Sequence, residues 1–214
     1  FFRYSTMRDF SEPHYERMLY DNAGLLSLYS RQGDLDTAAG IVSFLHSTLL
    51  VEGGFGSAQD SESVIEGLPS EGGYYLLDAV GREGLTPPKV DDKVITGWNG
   101  LALRGLADAY LAGVPGDPGK LGAQVATWLL AHHVRDDGTL IRLSRRGIPG
   151  TAPATLEDYG AFSLGLLELG IALGEARFVA EALRLVESIA GEELTVGRDE
   201  VMREKGFAPR PDIQ

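Results

Sequence analysis

The sequence predicts an all-α protein, a partial (α/α) toroid of helical hairpins with short β inserts. Three observations lead there: six stretches of helical period that fall into pairs, a polar-then-small motif that recurs in the first helix of each pair, and two non-helical inserts between them.

The first helix is expected over residues 13–30, where Met18, Leu19, Leu25, Leu26 and Tyr29 recur at three- and four-residue spacing and Ser11 and Pro13 supply start signals. The second begins near Asp34 or Asp36 and runs to about Leu50, with Ala38, Ile41, Val42, Leu45 and Leu49 on one face. A third over 94–112 and a fourth over 120–134 are divided by the breaker run 113–119, which holds three glycines and two prolines. A fifth over 156–173 and a sixth over 177–189 complete three hairpins. In the first helix of each pair, Tyr20-Asp21-Asn22-Ala23, Gly97-Trp98-Asn99-Gly100 and Asp158-Tyr159-Gly160-Ala161 place polar or aromatic residues beside small ones. That pattern suits an inner ring, because small residues allow helices to approach while polar groups collect at one end. One hairpin cannot bury its apolar face alone, so repeated hairpins stack.

Between the helices, residues 53–60 read as a glycine-rich loop leading to a short strand over 72–77. Residues 136–143 read as a turn and strand, with a hairpin closing at Arg146-Gly147. A single domain is expected over 1–190, followed by an irregular tail over 191–214.

Composition narrows the function. Hydrophobic residues make up 43% and charged residues 23% of the chain, as in ordinary globular domains, and no apolar stretch is long enough for a bilayer. A net charge of −12 repels phosphate backbones and anionic lipid, so neither nucleic acid nor membrane is an expected partner. The chain has no cysteine, which removes disulfides, thiolate catalysis and cysteine metal sites. It opens without Met and without a secretory signal, as if cut from something longer, and a cytoplasmic location is the default expectation.

Five blocks are then recognisable: Phe2-Arg3-Tyr4-Ser5, the run from Pro13-His14-Tyr15-Glu16 to Ala23, Ser57-Ala58-Gln59-Asp60-Ser61-Glu62-Ser63, the run from Asp91-Asp92 to Trp98-Asn99-Gly100-Leu101, and Leu156-Glu157-Asp158-Tyr159. In this order they resemble the signature blocks of the YyaL/spermatogenesis-associated protein 20 family. The resemblance implies a thioredoxin-like domain ahead of a helical barrel similar to six-hairpin glycosidases and N-acylglucosamine 2-epimerases, of which this chain holds the middle. It departs from the family in having Gln59 for Glu, Glu62 for Asp, and Leu76 or Leu77 for Trp, and in a short segment over 77–93.

Sugar-processing barrels of this kind line a funnel with carboxylates, His and aromatic rings, since a sugar offers hydroxyls to bond and an apolar face to stack. Hydrolysis needs two carboxyl groups about one bond, and epimerisation needs an acid and a base on opposite faces. The catalytic candidates are His14, Asp60, Asp92 and Asp158; the substrate-binding candidates are Arg3, Tyr4, Glu16, Asp21, Trp98, Asn99 and Tyr159. Each has a plainer alternative. His14, taken as the start of the first helix, could pack locally; Glu16 and Asp21 could be helix-face charges; Asp91 or Asp92 could cap a helix; Trp98 could be a core aromatic. Of Glu157 and Asp158, which point about 100° apart on a helix, Asp158 is chosen as the one facing the funnel. His132 and His133 lie at a helix end that favours positive charge, and with no third ligand evident no metal site and no cofactor are expected. Two functions follow: a sugar epimerase, isomerase or glycosidase-like protein acting on a small sugar, or a non-catalytic binding or scaffold module. A partial ring exposes apolar edges, so self-association is expected.

Overall fold

The computed structural model describes residues 1–189; the expected tail over 191–214 lies outside the described residues. Three helical hairpins form its frame. They pair α1 (Leu19–Gln32) with α2 (Leu35–Phe44), which a π-helical turn, Leu45–Leu49, prolongs. After a single turn, α3 (Gly73–Leu76), come α4 (Thr96–Leu111) with α5 (Pro118–His132) and α6 (Leu156–Leu173) with α7 (Ala176–Ser188). Local chemistry explains the boundaries. Gly33 and Gly174 end α1 and α6 in the left-handed conformation at φ 80° and 71°, Asp34 caps α2 by accepting from Thr37 N–H at 3.1 Å, and Pro118 opens α5, where its missing N–H costs nothing.

The inner helices are α1, α4 and α6, with α4 packed against α1 on one side and α6 on the other; α2, α5 and α7 back them. Small residues set the spacing. Gly105 lies against the backbone of Ala23, Gly100 against that of Ala161, and Gly165 against the carbonyl of Gly100, so an added Cβ at any of the three would strike the facing helix. Leu26, Leu103, Leu106, Phe162, Leu166 and Leu169 fill the space between the layers and are fully buried. Among the described residues, Leu164, Leu167 and Ile171 are exposed along one stripe of α6, as are Leu183 and Val186 on α7.

Strands are more numerous than the sequence suggests: β1 (Tyr4–Ser5), β2 (Pro13–His14), β3 (Arg17–Met18), β4 (Leu50–Val51), β5 (Gly54–Gln59), β6 (Glu62–Ile65), β7 (Leu68–Glu71), β8 (Val90–Ile95), β9 (Leu143–Arg145) and β10 (Ile148–Pro149). A six-stranded antiparallel sheet runs β10-β9-β8-β5-β3, with β4 also on β5. Its strands β3 and β8 lead directly into α1 and α4, which seats the starts of two inner helices on one sheet.

Three expectations are corrected here. Residues 13–18 are two short strands, 13–14 and 17–18, rather than helix, because His14 pairs with Tyr4 while Arg17 and Met18 pair with Gln59 and Ala58. His14 therefore does not sit on a helix end. The glycine-rich run at 54–59 is a fully buried strand, not a loop: Gly54 faces Trp128 and Gly56 faces the Asp91 carbonyl, leaving no room for a side chain. The aromatic stretch read as a strand is instead the single turn α3, entered through Gly72 at φ 74° beneath the Tyr15 ring. The hairpin at Arg146-Gly147 forms as expected, both residues having positive φ.

His133 ties helix α5 to α4 and the sheet. The Thr96 hydroxyl donates to the Ile141 carbonyl and so accepts from His133 Nδ1–H at 2.7 Å, leaving Nε2 to accept from the Ser144 hydroxyl at 2.8 Å. Burial, with His132 beside it, lowers its pKa from 6.5 to about 4, so the imidazole is neutral. The expectation of favoured positive charge at this helix end fails for His133 because the ring is turned into the core.

Candidate functional site

The first halves of the three inner helices open onto one cleft of about 710 Å³. Met18 and Tyr20 come from the start of α1, Trp98, Leu101 and Arg104 from α4, and Leu156, Glu157, Gly160, Ala161 and Leu164 from α6, with Arg3 reaching in from the N-terminal segment. The spacing of Trp98, Leu101 and Arg104 puts all three on one helical face. Gly160 and Ala161 keep the opposite wall low.

The Tyr20 ring meets Trp98 edge-on, centroids 4.8 Å apart at 63°, and forms an aromatic corner. Behind it runs a polar chain. The Tyr20 hydroxyl accepts from Arg3 Nε at 3.2 Å, Arg3 Nη1 donates to Glu16 Oε2 at 3.3 Å, and His14 Nδ1 lies 3.5 Å from the same carboxylate oxygen. The Tyr4 ring lies 4.9 Å from the imidazole. The Tyr20 hydroxyl and the Glu16 carboxylate both favour the charged form of Arg3 and raise its pKa. Asp21 stands beside Arg3; burial pushes its carboxyl up, opposed by the Arg3 charge and the Tyr20 hydroxyl. On the α4 side, Arg104 Nε donates to Glu168 Oε2 of α6 at 3.1 Å.

Arg3, Tyr4, His14, Glu16, Asp21 and Trp98 are thus gathered in and behind one cleft, while the other candidates are elsewhere. Asp158 is buried at the start of α6. Its carboxylate accepts from Thr155 N–H at 2.8 Å, the Thr155 hydroxyl at 3.0 Å and Gly97 N–H at 3.2 Å, closing a capping box and pinning α4 to α6. The choice between the two acids is therefore corrected: Glu157 lines the cleft and Asp158 does not. Asn99 is fully buried and bonds both backbone groups of Phe55, and the buried Tyr159 hydroxyl accepts from Leu140 N–H at 2.9 Å, so both brace the fold instead of facing a ligand.

Asp92 is held by Arg145 and Arg146 on the β9–β10 hairpin, which keep its carboxyl below its ordinary value, and it lies outside the cleft lining. Asp60 lines a separate cleft of about 790 Å³ under the β6–β7 hairpin, where its carboxylate accepts from Ser61 N–H at 2.7 Å. Gln59, the departure from the family's Glu, is buried, accepts from Arg17 and donates to the Pro88 carbonyl at 3.0 Å. A carboxylate could not make the second bond. Tyr20 and Arg104, which sequence reasoning does not single out, also line the cleft; Tyr20 stands within the second signature block and Arg104 follows Trp98 on the same face. Among the described residues no group of three metal-ligating side chains comes together, and no helix is long and apolar enough to cross a membrane.

No protein-family model matches the chain. Spermatogenesis-associated protein 20 of Mus musculus is 41% identical over 100 residues, which cover 42% of this chain and 13% of that protein. The Homo sapiens and Rattus norvegicus proteins of that name are 39% and 40% identical over the same length. The resemblance read from the five blocks thus stands, and the chain spans 13% of the length of these relatives. Among solved structures, cellobiose 2-epimerase from Spirochaeta thermophila matches with a TM-score of 0.61 at 17% identity, over 81% of this chain and 43% of that one. A UGL variant solved with dGlcA-Glc-Rha-Glc matches at 0.58 and 15%, over 93% of this chain and 51% of its own. The fold is that of an (α/α) toroid, of which this chain supplies about half the length of each neighbour.

Proposed function

We propose that this chain is part of a carbohydrate-active protein and that the cleft over Trp98 and Tyr20 receives a sugar. The observation that carries the reading is the aromatic corner of Tyr20 and Trp98 with Arg3, Arg104 and Glu157 around it. An aromatic face stacks on the apolar face of a pyranose, and planar charged groups at its rim bond the ring hydroxyls. The shared fold of a cellobiose 2-epimerase and of a protein solved with an oligosaccharide supports the reading by analogy of fold.

Among the described residues lining the cleft, Glu157 is the one carboxylate. Hydrolysis through two facing carboxyl groups is therefore less well served than epimerisation or isomerisation, in which Glu157 would exchange a proton with the substrate. A second reading, a sugar-binding module without turnover, is favoured by the dispersal of Asp60, Asp92 and Asp158 to other places.

Thermal-shift titration with mono- and disaccharides tests the proposal. A saturable rise in Tm that Trp98→Ala removes, in a protein that still melts cooperatively, is the expected result. No shift with any sugar would end the sugar reading. Turnover lost in Glu157→Gln would decide for the enzyme over the binding module.

A further inference from the structure

We infer that the cleft selects by charge, taking an uncharged sugar in preference to one that bears a carboxylate, and that Glu168 and Glu16 determine this selectivity; the inference rests on the sugar-binding reading above. Guanidinium groups are the side chains best shaped to grip a ligand carboxylate through two parallel hydrogen bonds. Two of them line this cleft, and at first sight they would suit an acidic sugar.

Each is already matched. Arg104 Nε bonds the Glu168 carboxylate at 3.1 Å, and Arg3 Nη1 bonds that of Glu16 at 3.3 Å while its Nε is occupied by Tyr20. The lining adds a further acidic side chain in Glu157, and the chain as a whole carries −12. An incoming carboxylate must either displace a protein carboxylate from its arginine or share that arginine with it at close range. Like charges brought together in this way are disfavoured, and the field of the whole protein has the same sign.

For a neutral sugar the same ion pairs are assets. A guanidinium paired through one of its N–H groups keeps the others to donate to a sugar hydroxyl. Arg104, held by Glu168 of α6, can thus donate to a sugar hydroxyl without losing its own contact, while Glu168 itself stands outside the lining. Glu16 acts at one remove, by neutralising Arg3 and holding it on the Tyr20 hydroxyl.

Glucose and glucuronate differ only at the C6 carbon and isolate the effect. Calorimetric titration of the wild type should show glucose bound at least about tenfold more tightly than glucuronate. Glu168→Gln keeps the shape and a hydrogen-bond acceptor while releasing the Arg104 charge, and Glu16→Gln does the same for Arg3. Either substitution should strengthen glucuronate binding by roughly three- to tenfold and leave glucose within about threefold, with unchanged cooperative melting. Equal or tighter binding of glucuronate by the wild type would overturn the charge inference and leave the sugar reading standing. A ratio unmoved in both folded variants would do the same. If the folded wild type binds neither sugar, the sugar reading falls and takes this inference with it.

Discussion

The Asn99 side chain holds Phe55 by both of its backbone groups: Oδ1 accepts from the Phe55 N–H at 2.8 Å, and Nδ2 donates to the Phe55 carbonyl at 3.0 Å and to the Ile95 carbonyl at 2.9 Å. One residue of α4 thereby satisfies both backbone groups of a β5 residue. Asn99→Ala would leave a buried N–H without a partner and should cost about 3 kcal/mol, read as a lower urea midpoint. Asn99→Asp keeps the acceptor but sets a carboxylate beside two carbonyl oxygens, and should be at least as destabilising. A midpoint within error of wild type in both variants would show the clamp to be energetically idle.

Adjacent acids on α6 should separate by phenotype. Asp158→Asn weakens the capping box and the bond to Gly97 N–H, so stability should fall by about 1–2 kcal/mol. Glu157→Gln, at the cleft lining, should leave the melting curve in place while lowering sugar affinity. The reverse pattern would return Asp158 to the role the sequence suggested.

Stability should depend on pH through His133. Its folded pKa is about 4 against 6.5 when unfolded, so between these values the unfolded chain binds the proton and the folded one does not. The contribution of the neutral ring is complete above about pH 6.5 and is lost as pH falls towards 4, a loss of about 3 kcal/mol at most. Urea midpoints measured from pH 7.5 to 4 in wild type and His133→Gln should converge as the medium becomes acidic. Parallel curves would show that His133 does not carry the slope.

Two alanine substitutions in inner helices should have opposite signs. Gly100→Ala places a methyl against the backbone of Ala161 and should cost about 2 kcal/mol or more. At Gly24 of α1 nothing lies within 4 Å, so Gly24→Ala should stabilise by about 0.5–1 kcal/mol through helix propensity. Thermal melts of the pair test whether helix spacing is set by glycine contact.

The helical hairpins were legible because their signal is local. Apolar residues at three- and four-residue intervals, with breakers at Gly33 and over 113–119, place all three pairs to within a few residues, apart from the start of α1. That start was misread because Met18 fits the helical period of α1 equally well, whereas its pairing with Ala58 depends on a strand forty residues away. The glycines of β5 misled in the same sense: they serve close approach to Trp128 and to the Asp91 carbonyl, which a single sequence does not reveal.

In the site, the aromatic corner is foreshadowed by the recurring inner-helix motif, and the burial of Asp158 by a local cue. Thr155 followed three residues later by an acid is a capping pattern, and it assigns Asp158 to the helix end before any funnel is considered. The separation of Asp60 from His14 was beyond reach, since it turns on how the β6–β7 hairpin folds away from the helices.

The chain has two tryptophans, and both are coupled to the same buried strand. Trp128 packs on Gly53 and Gly54 where β5 begins, while Trp98 precedes the asparagine that clamps Phe55 and itself faces the cleft. The native ultraviolet emission of the protein is therefore an optical gauge of β5. Quenching that follows occupancy belongs to Trp98 and a red shift that follows loss of the sheet to both, so Trp128→Phe would make the remaining indole a label-free reporter of the cleft.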